Sequence, residues 1–132
     1  MEATTKNANN PVVWFEIYVD DIDRAKKFYE TVLGLTMDDM SDPTNSDIKM
    51  CSFPMQMDKP NASGALVKME GFKAGGSGTI VYFSTEDCTR EETRVEGAGG
   101  KVFKNKTAIG EYGFISLCVD TEGNMFGLHS RS

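Results

Sequence analysis

The stretch Glu16-Ile17-Tyr18-Val19-Asp20-Asp21, followed by Ile22-Asp23-Arg24-Ala25-Lys26-Lys27-Phe28-Tyr29, decides the fold because a second, weaker copy follows 66 positions later. That copy begins with Tyr82-Phe83-Ser84-Thr85-Glu86-Asp87. In each copy an apolar, strand-like run reaches an aspartate, and a glycine follows 13 residues after it, at Gly34 and at Gly100. Two copies of one strand–helix unit in 132 residues predict two modules that fold face to face, with a cleft between them.

Apolar spacing within the first copy predicts a strand followed by a helix. Residues 12–19 are rich in β-branched and aromatic side chains, which are typical of a strand. Asp21 is a favourable helix N-cap, and apolar residues then recur at spacings of three and four until Gly34, a typical helix-terminating residue. The second copy has the same order, with a strand at 79–84. Its helix, predicted over 88–98, has few apolar anchors and depends on packing.

Three further strands are predicted after each helix. They are 36–40, 49–57 and 64–69 in the first half, and 101–104, 113–119 and 124–130 in the second. Four glycines within 71–78 predict a flexible hinge between the two halves. The chain is therefore predicted to be a single α+β domain, 1–132, of two βαβββ modules, the first at about 11–70 and the second at about 79–130.

Composition excludes several classes of protein. Hydrophobic residues make up 39% and charged residues 26%, as in a soluble globular chain, and no apolar run is long enough to span a membrane. The polar segment 1–10 lacks the apolar core of a signal peptide, which predicts a short lead-in and a cytoplasmic protein without membrane partners. The net charge of −6, without a cluster of Lys and Arg, argues against a nucleic-acid partner.

The three cysteines, Cys51, Cys88 and Cys118, are far apart and form no C-x-x-C motif. A catalytic thiol would need a nearby base, and the chain has a single histidine. We therefore expect reduced, mostly buried thiols with a structural role.

The segment 19–29 with Gly34, and independently the closing segment 120–128, resemble the vicinal oxygen chelate superfamily. This superfamily includes glyoxalase I, bleomycin-resistance proteins and extradiol dioxygenases, and the resemblance covers about residues 11–130. It implies that each module curls into a half-barrel and that two half-barrels face one another around the ligand site. The superfamily holds lyases, dioxygenases, epimerases and non-catalytic drug binders, so the resemblance predicts the fold more sharply than the reaction.

The resemblance also implies where a metal would be bound in metal-dependent members, on the first and last strands of each module. Those positions fall on Trp14, on Ile80, on Gly127, and on either Ala65 or Leu66. None of these side chains offers the nitrogen or oxygen ligand that a divalent metal needs. We therefore predict that the usual metal site is missing and that no cofactor is required.

Side chains alternate along a strand, so residues i and i+2 share a face. If Trp14 faces the cleft, so do Glu16 and Tyr18, and the equivalent faces of the second module carry Tyr82 and His129. This set combines three aromatic rings, one carboxylate and one imidazole. The alternatives for Glu16 are solvent exposure or a lysine partner, and for His129 a role in capping the last strand. Met50, Met55 and Met57 surround one strand, as in cores and in adaptable binding surfaces.

Two hypotheses for the function follow. In the first, the protein binds a small planar or cationic molecule in an aromatic-lined cleft without a metal, through Trp14, Glu16, Tyr18, Tyr82 and His129. In the second, it is a lyase or isomerase of the glyoxalase type acting on a small carbonyl compound, with Glu16 and His129 as base and acid or with a divergent metal site. The resemblance further implies a homodimer. The identity of the ligand, and whether modules pair within one chain or between chains, stay open.

Overall fold

The computed structural model of the protein describes residue 12 and residues 14–41, 47–56, 58–76 and 79–132. The predicted lead-in at 1–10 and the last two positions of the predicted hinge, 77 and 78, lie outside the described residues. Within the described part of the chain, no helix has both the length and the apolar character needed to cross a membrane.

The prediction of an α+β fold with the order βαβββ, repeated once, is confirmed. The elements are β1 (Trp14–Tyr18), α1 (Ile22–Leu33), β2 (Asp38–Ser41), β3 (Lys49–Ser52), β4 (Ser63–Lys68), β5 (Val81–Ser84), α2 (Cys88–Val95), β6 (Lys101–Ala108), β7 (Phe114–Val119) and β8 (Met125–Ser130). A short 3₁₀ turn, Gly110–Tyr112, lies between β6 and β7.

Each module forms one four-stranded sheet. The strand orders are β1-β4-β3-β2 and β5-β8-β7-β6, and in both sheets the first strand runs parallel to the last. Glu16 lies opposite Ala65 in the first sheet, and Tyr82 lies opposite Gly127 in the second. The register therefore makes Ala65, and not Leu66, the counterpart of Gly127.

The two modules share one hydrophobic core. Helix α1 is capped by Asp21, whose side chain accepts a hydrogen bond from Arg24 N, and it buries its apolar face against the first sheet. Its Tyr29 ring contacts Phe83 and Phe126 of the second module, with ring centroids 5.8 and 5.5 Å apart. Aromatic packing of this kind adds to the burial of apolar area and joins the two sheets in one core.

Several elements differ in length from their prediction: strand β3, predicted over 49–57, ends at Ser52, and strand β5, predicted from 79, begins at Val81. Helix α2 ends at Val95 and not at 98, because glycines follow and the backbone of Gly99 adopts a φ of 103° that only glycine favours. Strand β6 extends to Ala108, beyond its predicted end at 104, because its pairing with β7 resumes after two irregularities and reaches Phe114.

A turn of the second module is anchored to the first. The Glu122 carboxylate lies between β7 and β8 and accepts hydrogen bonds from Arg24 Nε at 2.7 Å and from the backbone N–H of Asp21 at 3.0 Å. In the same turn, Asp120 accepts a hydrogen bond of 2.6 Å from the hydroxyl of Tyr29. Burial raises the pKa of both Tyr29 and Asp120. The start and the middle of α1 are therefore tied to the β7–β8 turn.

The segment predicted as a flexible hinge is held at two points. The backbone N–H of Ala74 donates to Asp20 Oδ1 at 3.2 Å, and that of Gly75 donates to Asn124 Oδ1 at 2.7 Å. Asn124 in turn donates to the carbonyl of Tyr18 at 2.9 Å. Residues 74 and 75 are therefore hydrogen-bonded to both modules.

All three thiols are free and buried, which confirms the prediction for the cysteines. Burial raises the pKa of Cys51 to about 11 and that of Cys118 to about 12. The sulfur of Cys88 lies 3.5 Å from the carbonyl oxygen of Leu128. Cys51 and Cys118 are therefore protonated at neutral pH, and burial shields all three thiols from reagents.

Candidate functional site

Strand β1 presents Trp14, Glu16 and Tyr18 on one face, and their side chains are linked. The indole Nε1 of Trp14 donates to Glu16 Oε2 at 3.2 Å, and the hydroxyl of Tyr18 donates to Glu16 Oε1 at 2.8 Å. This hydrogen bond to Glu16, with burial and the negative charge of the carboxylate, raises the pKa of Tyr18. Both carboxylate oxygens of Glu16 are thus occupied by neighbouring aromatic side chains.

A small pocket of about 230 Å³ is lined in part by residues of β1, β5 and β8, and we call it the Glu16 pocket. Its walls come from both modules and from the connecting segment: Glu16, Ile17, Tyr18, Tyr29, Lys73, Gly76, Thr79, Val81, Asn124 and Met125. Phe72, at the start of the connecting segment, stacks on Tyr18 with ring centroids 5.0 Å apart.

A larger depression of about 850 Å³ lies beside Trp14, and we call it the Trp14 depression. The loop between β3 and β4 forms most of its wall, and the lining residues are Val12, Trp14, Pro54, Met55, Gln56, Lys59, Pro60, Asn61, Ala62 and Ser63. Met55 is 51% exposed, which is unusual for an apolar side chain of this size. The volume is within the range of ligand pockets.

A third depression, of about 810 Å³, lies at the edge of β5, and we call it the Tyr82 depression. It is lined by Val12, Phe15, Asn61, Ala62, Thr79, Ile80, Val81, Tyr82, Phe83, Ser84 and His129. The ring of Tyr82 lies directly over Gly127, where an added Cβ would stand 2.3 Å from a ring carbon. The aromatic ring therefore occupies the space into which a side chain at 127 would project.

The orientation of His129 is fixed by the 3₁₀ turn. Its Nε2 lies 2.8 Å from the carbonyl oxygen of Tyr112. A carbonyl oxygen only accepts, so Nε2 carries the proton and Nδ1 is the acceptor of the neutral ring. His129 lies opposite Ser84 on the neighbouring strand. The imidazole is thus held at one nitrogen, and its other nitrogen is the one available for a ligand.

The five predicted site residues separate into two groups. Trp14 and Tyr18 each donate a hydrogen bond to Glu16, while Tyr82 and His129 line one depression together. Glu16 and His129 line different depressions, so the structure does not bring the predicted acid–base pair into one pocket.

Four positions correspond to those where the resemblance implies metal ligands: Trp14, Ile80, Ala65 and Gly127. Among the described residues, no group of three or more His, Cys, Asp or Glu side chains could hold a metal ion. Ala65 and Gly127 offer no ligand atom, and the indole nitrogen of Trp14 donates to Glu16. These positions therefore do not fit the metal that the resemblance implies.

Several lining residues were not predicted. Asn61 and Ala62 lie in the β3–β4 loop, whose path the strand pattern does not define. Met55 also lines the Trp14 depression, and the methionine cluster was the one signal in the sequence that pointed toward it. Phe72 and Lys73 belong to the segment predicted only as a hinge.

Comparison with known proteins gives a match to a family model over the first part of the chain, one distant curated relative and a shared fold. A family model described as "Bleomycin resistance protein-like N-terminal" matches residues 12–50. A curated Mycobacterium bovis protein with a provisional name, glyoxylase CFP32, is 25% identical over 127 residues, which is 96% of this chain and 46% of that protein. The chain therefore spans about half the length of the curated relatives that it matches.

Solved structures share the fold at low sequence identity. Glyoxalase I from Zea mays matches with a TM-score of 0.72 and 19% identity, covering 91% of this chain and 44% of that one. TnmS3, an antibiotic binding protein from a Streptomyces species, matches with a TM-score of 0.66 and 22% identity, covering 96% of this chain and all of that one. At these levels of sequence identity, both matches show a shared fold and not a shared function.

Proposed function

We propose that this chain, whose sequence resembles the vicinal oxygen chelate superfamily and whose fold matches that of glyoxalase I, binds a small, planar, largely apolar molecule without a metal. The observation that carries this proposal is the exposed apolar surface of the Tyr82 depression. Val12 is 63% exposed, Tyr82 47% and Ile80 37%. Exposed apolar residues gathered in one concavity are typical of a ligand site.

The charges around the depressions favour a neutral or anionic ligand. Among the described residues that line the Trp14 and Tyr82 depressions there is no Asp or Glu, and Lys59 is the one side chain with a full charge. Glu16, the residue expected to attract a cation, lines the Glu16 pocket, which adjoins the Tyr82 depression at Thr79 and Val81, and both of its carboxylate oxygens are hydrogen-bonded to Trp14 and Tyr18. A cationic ligand therefore has less support than a neutral or anionic one.

The chemistry of the expected metal positions supports binding without a metal. They hold an indole, a sec-butyl group, a methyl group and a hydrogen atom, at Trp14, Ile80, Ala65 and Gly127. The likeness in fold to TnmS3, an antibiotic binding protein, is consistent with a binder rather than an enzyme. We expect the affinity for an aromatic ligand to be the same with and without a chelator.

Replacing Tyr82 by alanine is expected to weaken the binding of an aromatic probe by about tenfold, because the ring provides the largest exposed aromatic face in its depression. The measurement is a fluorescence titration with anilinonaphthalene sulfonate, with energy transfer from Trp14, the single tryptophan, as a report of proximity. Phe103→Ala is the control, since Phe103 is 67% exposed but lines none of the three depressions. Equal losses in the two variants would contradict the proposal.

The second candidate function is a lyase or isomerase acting on a small carbonyl compound, and the glyoxylase name of the M. bovis relative favours it. It requires Glu16 and His129 to act on one substrate, although they line different depressions. Turnover of small carbonyl compounds that is lost in both Glu16→Gln and His129→Ala would favour this candidate. Elemental analysis of the purified protein would show whether a divalent metal accompanies that turnover.

We also propose that the chain forms a homodimer through the open face of the second sheet. Leu117 lies opposite Gly127 and therefore shares the face of Tyr82, away from the buried face that carries Phe126, so that in the dimer the Tyr82 depression would border the interface. Light scattering is expected to give twice the 14.5 kDa mass of the chain, and Leu117→Glu is expected to give the monomer mass. A wild-type protein of 14.5 kDa at micromolar concentration would contradict this proposal.

A further inference from the structure

The Trp14 and Tyr82 depressions meet. Both are lined by Val12, Asn61 and Ala62, which therefore form the boundary between them. Since these three residues line both depressions, a ligand bound in either depression can contact them. Together the two depressions form one groove that crosses from the first module to the second.

The two ends of this groove are apolar. Exposed Met55 and the ring of Trp14 lie at one end, and Tyr82 and Ile80 lie at the other. Each end has a volume that alone suits a ring system of ordinary size. The groove therefore offers two separate surfaces for planar apolar groups.

The junction between the ends is polar. Asn61 is exposed, and its side-chain amide forms no hydrogen bond with another described residue. Its backbone has a φ of 77°, which asparagine and glycine tolerate better than other residues. An amide at this point can donate to and accept from the middle of a bound molecule.

We propose that the groove binds an elongated neutral or anionic molecule with two ring systems joined by a polar link, and that Asn61 and Ala62 determine this specificity. The inference rests on the proposed function, because it assumes that the Tyr82 depression binds ligands. It adds to the proposed function a second subsite beside Trp14, and it requires a ligand long enough to reach both ends of the groove. Lys59 beside the Trp14 end accounts for the preference for an anion.

The test compares two fluorescent probes that differ in length. Anilinonaphthalene sulfonate has one naphthalene, one anilino phenyl ring and one sulfonate, and its covalent dimer has two of each and is about twice as long. The dimer is expected to bind the wild-type protein at least about tenfold more tightly than the monomer, because its second half is held near the second end of the groove. Both affinities are measured by fluorescence titration, with the stoichiometry determined for each.

A bulky residue at the junction is expected to separate the two ends. Ala62→Phe should lower the ratio of the dimer affinity to the monomer affinity by about fivefold or more, since one molecule can no longer occupy both ends. Ala108→Phe is the matched control, because Ala108 is also exposed but lines none of the three depressions. Thermal unfolding of both variants establishes that they fold.

Asn61→Gly tests the amide without straining the backbone, because glycine adopts a positive φ readily. It is expected to weaken by about threefold, the effect of one neutral hydrogen bond, a probe in which two naphthalene sulfonates are joined by a urea. The anilinonaphthalene sulfonate dimer, whose halves are joined by a carbon–carbon bond, should bind this variant as it binds the wild type. If the two probes bind equally and Ala62→Phe does not change their ratio, the continuous groove is wrong while the Tyr82 site stands. If neither probe binds with a defined stoichiometry, both the groove and the proposed function are wrong.

Discussion

Replacing Gly100 by alanine is expected to destabilise the protein by about 3 kcal/mol, because there is no room for a methyl group at this position. An added Cβ would lie 2.4 Å from the carbonyl oxygen of Val119 and 2.7 Å from the ring of Phe28. The carbonyl oxygen belongs to strand β7, and Phe28 is only 1% exposed within the shared core. Neither neighbour can move without disturbing the contact between the modules.

Urea denaturation at neutral pH measures this effect as a change in the free energy of unfolding. Gly97→Ala is the matched control in the same turn, because its Cβ would lie 4.0 Å from the nearest atom, the carbonyl oxygen of Arg94. This substitution is expected to be neutral or to stabilise by up to about 1 kcal/mol. Similar free energies of unfolding for the two variants would show that the close approach at Gly100 is relieved at little cost.

Replacing Glu122 by glutamine is expected to destabilise the protein by up to about 3 kcal/mol at neutral pH. The side chain of Glu122 is fully buried, and it pairs with a half-exposed Arg24 across the two modules. Burial alone would raise the pKa of Glu122, but hydrogen bonds from Arg24, from Thr121 and from two backbone N–H groups outweigh it. They lower the pKa from the ordinary value of 4.5 to about 2. Because Arg24 is half-exposed, solvent weakens its attraction to Glu122, and the loss of about 3 kcal/mol in the free energy of unfolding is an upper bound.

The pH dependence has a definite sign. A carboxyl group with a lowered pKa in the folded state stabilises the protein above its unfolded pKa, so the contribution of Glu122 is complete above about pH 4.5 and is lost as the pH falls toward 2. The difference in free energy of unfolding between wild type and Glu122→Gln should therefore be constant from pH 7 to 5 and shrink below that. Asp39→Asn, which breaks an exposed pair with Lys26, should change stability by less than about 1 kcal/mol. A difference that does not vary with pH would refute this assignment.

Local patterns in the sequence predicted the elements because the signals were themselves local. The apolar spacing of α1 and its cap at Asp21 are read within a dozen residues, and Asp87 caps α2 in the same way, accepting from Thr89 N at 3.0 Å. The two repeated glycines were harder to interpret. Gly34 ends α1 with a φ of 67°, whereas Gly100 is required by close packing against another strand. The same spacing of 13 residues therefore has a different cause in each copy: a positive φ at Gly34 and close packing at Gly100.

The part of the candidate site that the sequence predicted is the part that follows from the alternation of side chains along one strand. Alternation places Trp14, Glu16 and Tyr18 on one face, and the structure links these three side chains by hydrogen bonds. It does not show how the two modules meet, so it did not separate Glu16 from His129. Contacts between residues about a hundred positions apart, such as that between Glu122 and Asp20, carry no local signal.

The three buried thiols make it possible to measure how fast the folded structure opens. Cys51, Cys88 and Cys118 are fully inaccessible in the folded chain, so an aromatic disulfide reagent reaches them only when the structure opens. At high reagent concentration the rate of colour development equals the rate of opening, and the three sulfurs together sample both modules. One absorbance trace would therefore show whether the two halves of this repeat open together or one after the other.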